Sequence, residues 1–103
     1  MNESTNDHIS SLTYFTIERS IEWFQQKQEQ KECNIYLQTD WVKTSDHSFK
    51  IQAVLDMSYK PFSNGSGLFY LHTNQGVFTY GVNTDPNHFI DAYRRLKGDS
   101  FLN

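Results

Sequence analysis

The stretch that decides the fold is HISSLTYFTIERSIEWFQQKQEQKE, residues 8–32. Its apolar side chains Tyr14, Ile17 and Ile21 recur three and four residues apart, which is the spacing of one helix face. The end of the stretch consists of Gln, Lys and Glu, which are good helix formers. These features predict one long N-terminal helix over the whole stretch.

One segment of this stretch has an alternative. Residues 12–17 are rich in β-branched and aromatic side chains, which suit a strand equally well. The secondary structure of residues 8–16, helix or strand, is therefore left open. Residues 1–7 have no large apolar side chain after Met1 to offset the entropy of ordering, and we expect a disordered leader.

Two strand patterns follow the predicted helix. Apolar and polar side chains alternate over residues 33–41 and again over residues 49–57. We match the two apolar faces, because a one-residue slip would turn a whole apolar set to water. Residues 44–46 are then the hairpin loop. The predicted pairs are Trp41 with Phe49, Leu37 with Ala53, and Ile35 with Leu55.

A second hairpin is predicted over residues 68–73 and 77–82. Gly76 suits the left-handed position of a bulged three-residue turn, and Thr73 then faces Val77. This register sets Phe69 over Gly81. The same register places four side chains on one face as candidate ligand-facing residues: Tyr70, His72, Phe78 and Tyr80.

The last predicted element is a C-terminal helix. Asp85 can cap it, Pro86 suits its first position, and Gly98 can end it. Its apolar stripe consists of Phe89, Tyr93 and Leu96.

The order of elements predicts a single α+β domain over residues 8–103. It has two layers: an N-terminal long helix, a four-stranded antiparallel meander sheet and a C-terminal helix. The loop over residues 60–67 is long enough to allow another strand order. A long helix across a curved sheet resembles the start of cystatin-like folds. The closing strand and capped helix, about a fifth of the chain, resemble the end of bacterial pleckstrin-homology-like domains, and both likenesses concern the fold alone.

Composition argues against several classes of protein. The chain has 103 residues and a formal net charge of -3, so we do not expect a nucleic-acid binder held by phosphate contacts. No apolar run approaches the ~18 residues of a membrane span, and no signal-peptide core is visible. The lone Cys33 cannot form an internal disulfide and is expected to be a structural buried thiol. We therefore expect a soluble, cytoplasmic protein without membrane association.

The sequence shows no catalytic or metal-binding constellation. Its histidines, at positions 8, 47, 72 and 88, lack the spacing of metal ligands, so no metal and no cofactor is expected. His72 lies inside a predicted strand. It is a base or a ligand-binding donor, or else it is half-buried and hydrogen-bonded, or simply exposed. We expect a protein that is not an enzyme.

A surplus apolar surface on the predicted helix carries the functional hypothesis. Leu12, Phe15, Arg19 and Trp23 lie nearly opposite the stripe that would face the sheet. Left in water, each large apolar group would forgo up to ~1.5–3 kcal/mol of burial. Trp and Arg are also typical interface anchors. Two alternatives stay open: the residues before Thr16 are not helical, or the C-terminal Phe101 and Leu102 cover this side.

These observations predict a small non-enzymatic protein-interaction or regulatory domain. Its partner would be another protein or a second copy of the chain in a homodimer. The alternative is a small-molecule-binding domain with an apolar pocket between the first helix and the sheet. An enzyme ranks third, and it would need His72 with a carboxylate partner.

Overall fold

Two long antiparallel strands, Ser10–Glu22 and Gln25–Leu37, stand in place of the predicted helix. A computed structural model describes residues 8–22 and 25–102, with side chains for residues 8–16 and 29–98. Strand β1 is Ser10–Glu22 and strand β2 is Gln25–Leu37, paired antiparallel from one end to the other. The predicted N-terminal helix is therefore wrong, and residues 8–16 follow the strand alternative. The predicted leader, residues 1–7, lies outside the described residues.

Burial explains why this stretch is a strand. Leu12 and Tyr14 are 1% and 2% exposed, and they share a strand face with Ile35 and Leu37, which are fully buried. A period of two places all four side chains against the core, whereas a helix would turn Leu12 and Tyr14 to different sides. Helix propensities differ by less than ~1 kcal/mol per residue, so the burial of these side chains outweighs the propensity of the Gln, Lys and Glu tail.

Seven antiparallel strands form one sheet, followed by a single helix in the described part of the chain. The remaining elements are β3 (Trp41–Lys43), β4 (Ser48–Lys50), a 3-10 turn (Ile51–Ala53), β5 (Val54–Pro61), β6 (Gly67–Thr73), β7 (Gly76–Val82) and α1 (Asn87–Leu102). The strand order is β4-β3-β2-β1-β7-β6-β5. The antiparallel sheet is confirmed, but the four-stranded count is wrong. The likeness to cystatin-like folds, which depended on the first helix, is lost with it.

The predicted first hairpin is divided into shorter strands. The chain bends at residues 38–40 and again at the 3-10 turn, so that the short strand β3 pairs with β4 on one side and with the end of β2 on the other. Val42 pairs with Phe49, one residue away from the predicted partner Trp41. Val42 is fully buried and Trp41 is half-buried, so the core selects the register that the sequence pattern missed. The other predicted pairs, Leu37 with Ala53 and Ile35 with Leu55, do not form.

The second hairpin exists but its register also differs by one residue. Thr73 pairs with Gly76 across a two-residue turn, not with Val77 across three. The Thr73 hydroxyl donates to the Gly76 carbonyl at 2.8 Å, and Gly76 has a φ of 125°, which favours glycine. The shorter turn sets Phe69 opposite Tyr80, and Leu68 opposite Gly81. The predicted pairing of Phe69 with Gly81 is therefore wrong.

The C-terminal helix begins as predicted and runs past its predicted end. The Asp85 carboxylate accepts the Asn87 N–H at 2.8 Å, and the Pro86 carbonyl accepts the N–H of Ile90 at 3.0 Å. Gly98 does not end the helix, which continues to Leu102. Without a terminating turn after it, a glycine inside a helix lowers stability but does not stop the helix.

Helix α1 and the β3–β4 hairpin cover the core face of the sheet. On α1, Phe89 packs edge-on against Phe69 with ring centroids 5.8 Å apart. The β3–β4 hairpin folds back so that Phe49 lies 5.1 Å from the ring of Phe78 on β7. No described helix is long and apolar enough to span a membrane.

Candidate interaction surface

The structure does not bring the predicted interface residues onto one surface. Leu12 is buried in the core, and Phe15 is half-buried on the opposite face of β1, because neighbouring odd and even positions of a strand face opposite ways. The backbone of Arg19 pairs with that of Gln28, but its side chain lies outside the described set. Trp23 lies outside the described residues.

The predicted ligand-facing aromatic group is divided between two faces. Phe78 and Tyr80 lie on the core face, where Tyr80 packs against Tyr14 with ring centroids 4.8 Å apart. Burial raises the pKa of the Tyr80 hydroxyl, an effect partly offset by its hydrogen bond with Thr44. Tyr70 and His72 lie on the other face, which we call the outer face. The one-residue shift of the β6–β7 register produces this separation.

His72 has a hydroxyl partner but no hydrogen-bonded carboxylate. Its Nε2 lies 2.9 Å from the Ser58 Oγ. Asp56 pairs with His72 in the β5–β6 ladder, yet among the described contacts its carboxylate reaches Arg94, at 3.9 Å, and no hydrogen bond joins it to the imidazole. A serine nucleophile needs a base that is itself oriented by a third group. This pair on an open sheet face therefore carries no catalytic proposal.

The other candidate groups are dispersed. Cys33 is a half-buried free thiol packed against the core, opposite Tyr14. His47 stacks on Phe49, with ring centroids 5.6 Å apart. In the described part of the chain, no three His, Cys, Asp or Glu side chains come together as a metal site.

A two-stranded ribbon extends beyond the rest of the sheet. Strands β1 and β2 have 13 residues each, but β1 pairs with β7 only at Phe15, and β2 pairs with β3 only at Tyr36 and Leu37. From Thr16 and Lys31 outward, the two strands pair only with each other among the described elements. We call residues 16–22 and 25–31 the ribbon.

Along the ribbon, no described strand pairs with the outer backbone edge of β2. Glu29, Gln30, Lys31, Glu32 and Asn34 are all exposed, and only Cys33 among residues 29–34 is half-buried. We call residues 29–34 the open edge. An unpaired strand edge presents a row of N–H and C=O groups that can accept a further strand.

An apolar groove lies beside the base of the ribbon on the outer face. Gly81 pairs with both Phe15 and Leu68, and its missing side chain leaves room between them. Phe62, which is 43% exposed, and Gln30 complete a cavity of about 230 Å³. A single apolar side chain could be accommodated there.

No family model, curated protein or solved structure gives a significant match to this chain. Function must therefore be inferred from the ribbon, the open edge and the groove. Gln30 belongs to the open edge and also lines the groove.

Sequence reasoning missed the ribbon for a local reason. In the sequence, Trp and Phe stand between Glu22 and Gln25, the last described pair of the two strands. Two-residue hairpin turns are normally signalled by Asn-Gly, Asp-Gly or another glycine pair. A usable signal was the absence of any apolar side chain in residues 25–32, which is typical of an element exposed on all sides.

Proposed function

We propose that the protein is a small non-enzymatic interaction domain that binds an extended segment of a partner protein along the open edge. The observation that carries this proposal is the unequal pairing of β2, which has 13 residues and shares only two register positions with β3. Strand addition to such an edge gains affinity from main-chain hydrogen bonds.

The groove is a separate feature from the open edge. It lies between Phe15 on β1 and Gly81 on β7, on the opposite side of the ribbon from the outer edge of β2. A volume of about 230 Å³ is below the ~300–1,000 Å³ of small-molecule sites, so the geometry favours a side chain over a free ligand.

The charges of the open edge restrict which partner can bind. Glu29, Lys31 and Glu32 would leave unpaired charges beside an apolar strand, and charged edges normally oppose such association. A partner strand with the complementary order of charges would not meet this penalty. We place the domain in the cytoplasm, where the free thiol of Cys33 would stay reduced.

A shortened ribbon tests the proposal. Residues 18–29 are replaced by Asn-Gly, which joins the paired residues Ile17 and Gln30 through a two-residue turn. Every side chain described as buried lies outside the removed segment, so the variant should keep its thermal midpoint within a few degrees. Proteins captured by wild-type protein from a cell extract should bind the variant more weakly, because it keeps residues 30–34 but loses the β2 edge over residues 25–29.

Hydrogen exchange on the captured complex supplies the second readout. We expect slower exchange at the backbone amides of residues 25–34, because an added strand protects them. Equal capture by both proteins, or unchanged exchange along β2 in the complex, would show that the partner binds elsewhere.

A further inference from the structure

We infer that the strand added to the open edge is β2 of a second copy of this chain, antiparallel to the first, with Gln30 on the two-fold axis. This inference rests on the proposed function, because it names the partner of the same edge. In a two-fold interface each copy contributes the same surface, so the surface must be complementary to itself.

The order of charges along the open edge satisfies this requirement. Antiparallel pairing centred on Gln30 sets Glu29 opposite the second copy's Lys31, and the two-fold axis repeats the contact in the other direction. It also sets Gln30 opposite its own copy. Both charged side chains are exposed and available for a cross-strand pair.

The registers centred on Glu29 and on Gln28 are less favourable for pairing. Centring on Glu29 places two Glu29 side chains opposite each other and Lys27 opposite Lys31, which repel. Centring on Gln28 pairs Lys27 with Glu29, but because β2 begins at Gln25 it overlaps only residues 25–31. Centring on Gln30 overlaps residues 25–35 and therefore allows more main-chain hydrogen bonds.

The described register of the hairpin itself sets two acidic residues opposite each other. The β1–β2 register sets Glu18 opposite Glu29, and like charges directly opposite each other destabilise a ladder. Lys31 of a second copy on the other side of Glu29 would supply the missing positive charge. Thr16, the β1 partner of Lys31, leaves that lysine free to make the contact.

The test uses the full chain and single charge reversals at the open edge. The solution mass of wild type, Glu29→Lys and Lys31→Glu is followed by light scattering over a concentration series, with circular dichroism as a check of folding. Wild type should dimerise. Each reversal replaces two attractive pairs by two repulsive ones, and we expect the dissociation constant to rise by roughly tenfold or more.

Mixing the two variants provides the decisive measurement. A chain carrying Glu29→Lys and a chain carrying Lys31→Glu present opposite charges at both contacts, so the equimolar mixture should regain wild-type dimerisation. Lys43→Glu is the matched control, because this lysine is exposed on β3 and lies outside the open edge. It should leave the dimer unchanged.

Four outcomes overturn the inference. They are a wild-type monomer at every concentration, a dimer insensitive to both reversals, a mixture that stays monomeric, and a dimer broken by Lys27→Glu but not by Lys31→Glu. A wild-type monomer whose ribbon still captures another protein would refute only the second copy as partner. If the variant with the shortened ribbon kept both its capture of the partner and its dimer, the proposed function would be refuted as well.

Discussion

At the scale of single residues, Gly67 is the position where backbone packing leaves no room for a side chain. It is buried in β6, and a Cβ there would lie 2.6 Å from the Lys60 carbonyl oxygen and 2.6 Å from Cε1 of Tyr59. The oxygen belongs to the paired strand β5, so it cannot move away without disturbing the ladder.

We expect Gly67→Ala to lower the free energy of unfolding by about 1–3 kcal/mol, the usual cost of overpacking. Urea denaturation measures it. Gly81→Ala is the matched control in the neighbouring strand, since its Cβ would meet only the Phe15 carbonyl, at 3.9 Å. Equal effects of the two substitutions would show that the close backbone approach at Gly67 does not cause the loss of stability.

At the scale of elements, Gly98 lowers the stability of helix α1. This residue lies inside the helix, and a Cβ there would meet nothing within 4 Å. Gly98→Ala should therefore raise the free energy of unfolding by about 0.5–1 kcal/mol, because alanine loses less backbone entropy. Thermal denaturation followed by circular dichroism checks it. A lower midpoint would mean that the helix does not continue past this glycine.

The elements that local chemistry specifies are the ones the sequence predicted. The start of α1 depends on Asp85, Pro86 and their immediate neighbours, and it was predicted correctly. The approximate positions of β6 and β7 were also predicted, since alternation is visible within each strand. Their register was not, because the choice between a two-residue and a three-residue turn at Gly76 depends on which face the core buries.

At the scale of the whole molecule, two tyrosines connect stability to pH. Burial raises the pKa of Tyr80 and of Tyr93, and Asp56 adds to the effect at Tyr93. The buried Tyr93 hydroxyl donates to the Val54 carbonyl at 2.9 Å, a bond that the ionised form cannot make. A raised pKa in the folded state means that the neutral form stabilises the fold.

We therefore expect full stability below the ordinary tyrosine pKa of about 10 and a loss as pH rises through the folded-state values. Tyr93→Phe should cost about 1 kcal/mol at neutral pH, since it leaves the Val54 carbonyl with a weaker set of partners, and should flatten the alkaline loss. Urea denaturation between neutral and alkaline pH measures both effects. Tyr36→Phe, at an exposed residue, is the control and should follow wild type.

The candidate interaction surface belongs to this largest scale. Of the residues predicted to form an interface, Leu12 proved to be core and Phe15 lines the groove. The open edge was not predicted, because it is defined by where β3 stops pairing with β2. Those limits are set by residues far away in sequence, and no pattern within residues 8–32 contains them.

By itself, the sequence determined the features that depend on neighbours along the chain: the capped start of α1, the alternation in β6 and β7, and the positive φ of Gly76. Only the tertiary structure decided that residues 10–22 and 25–37 are strands, which register each hairpin takes, and that no described strand pairs with the outer edge of β2 along the ribbon. The physical reason is that propensities differ by fractions of a kcal/mol per residue, whereas burying Leu12, Ile35 and their neighbours in one core is worth ~1.5–3 kcal/mol for each side chain.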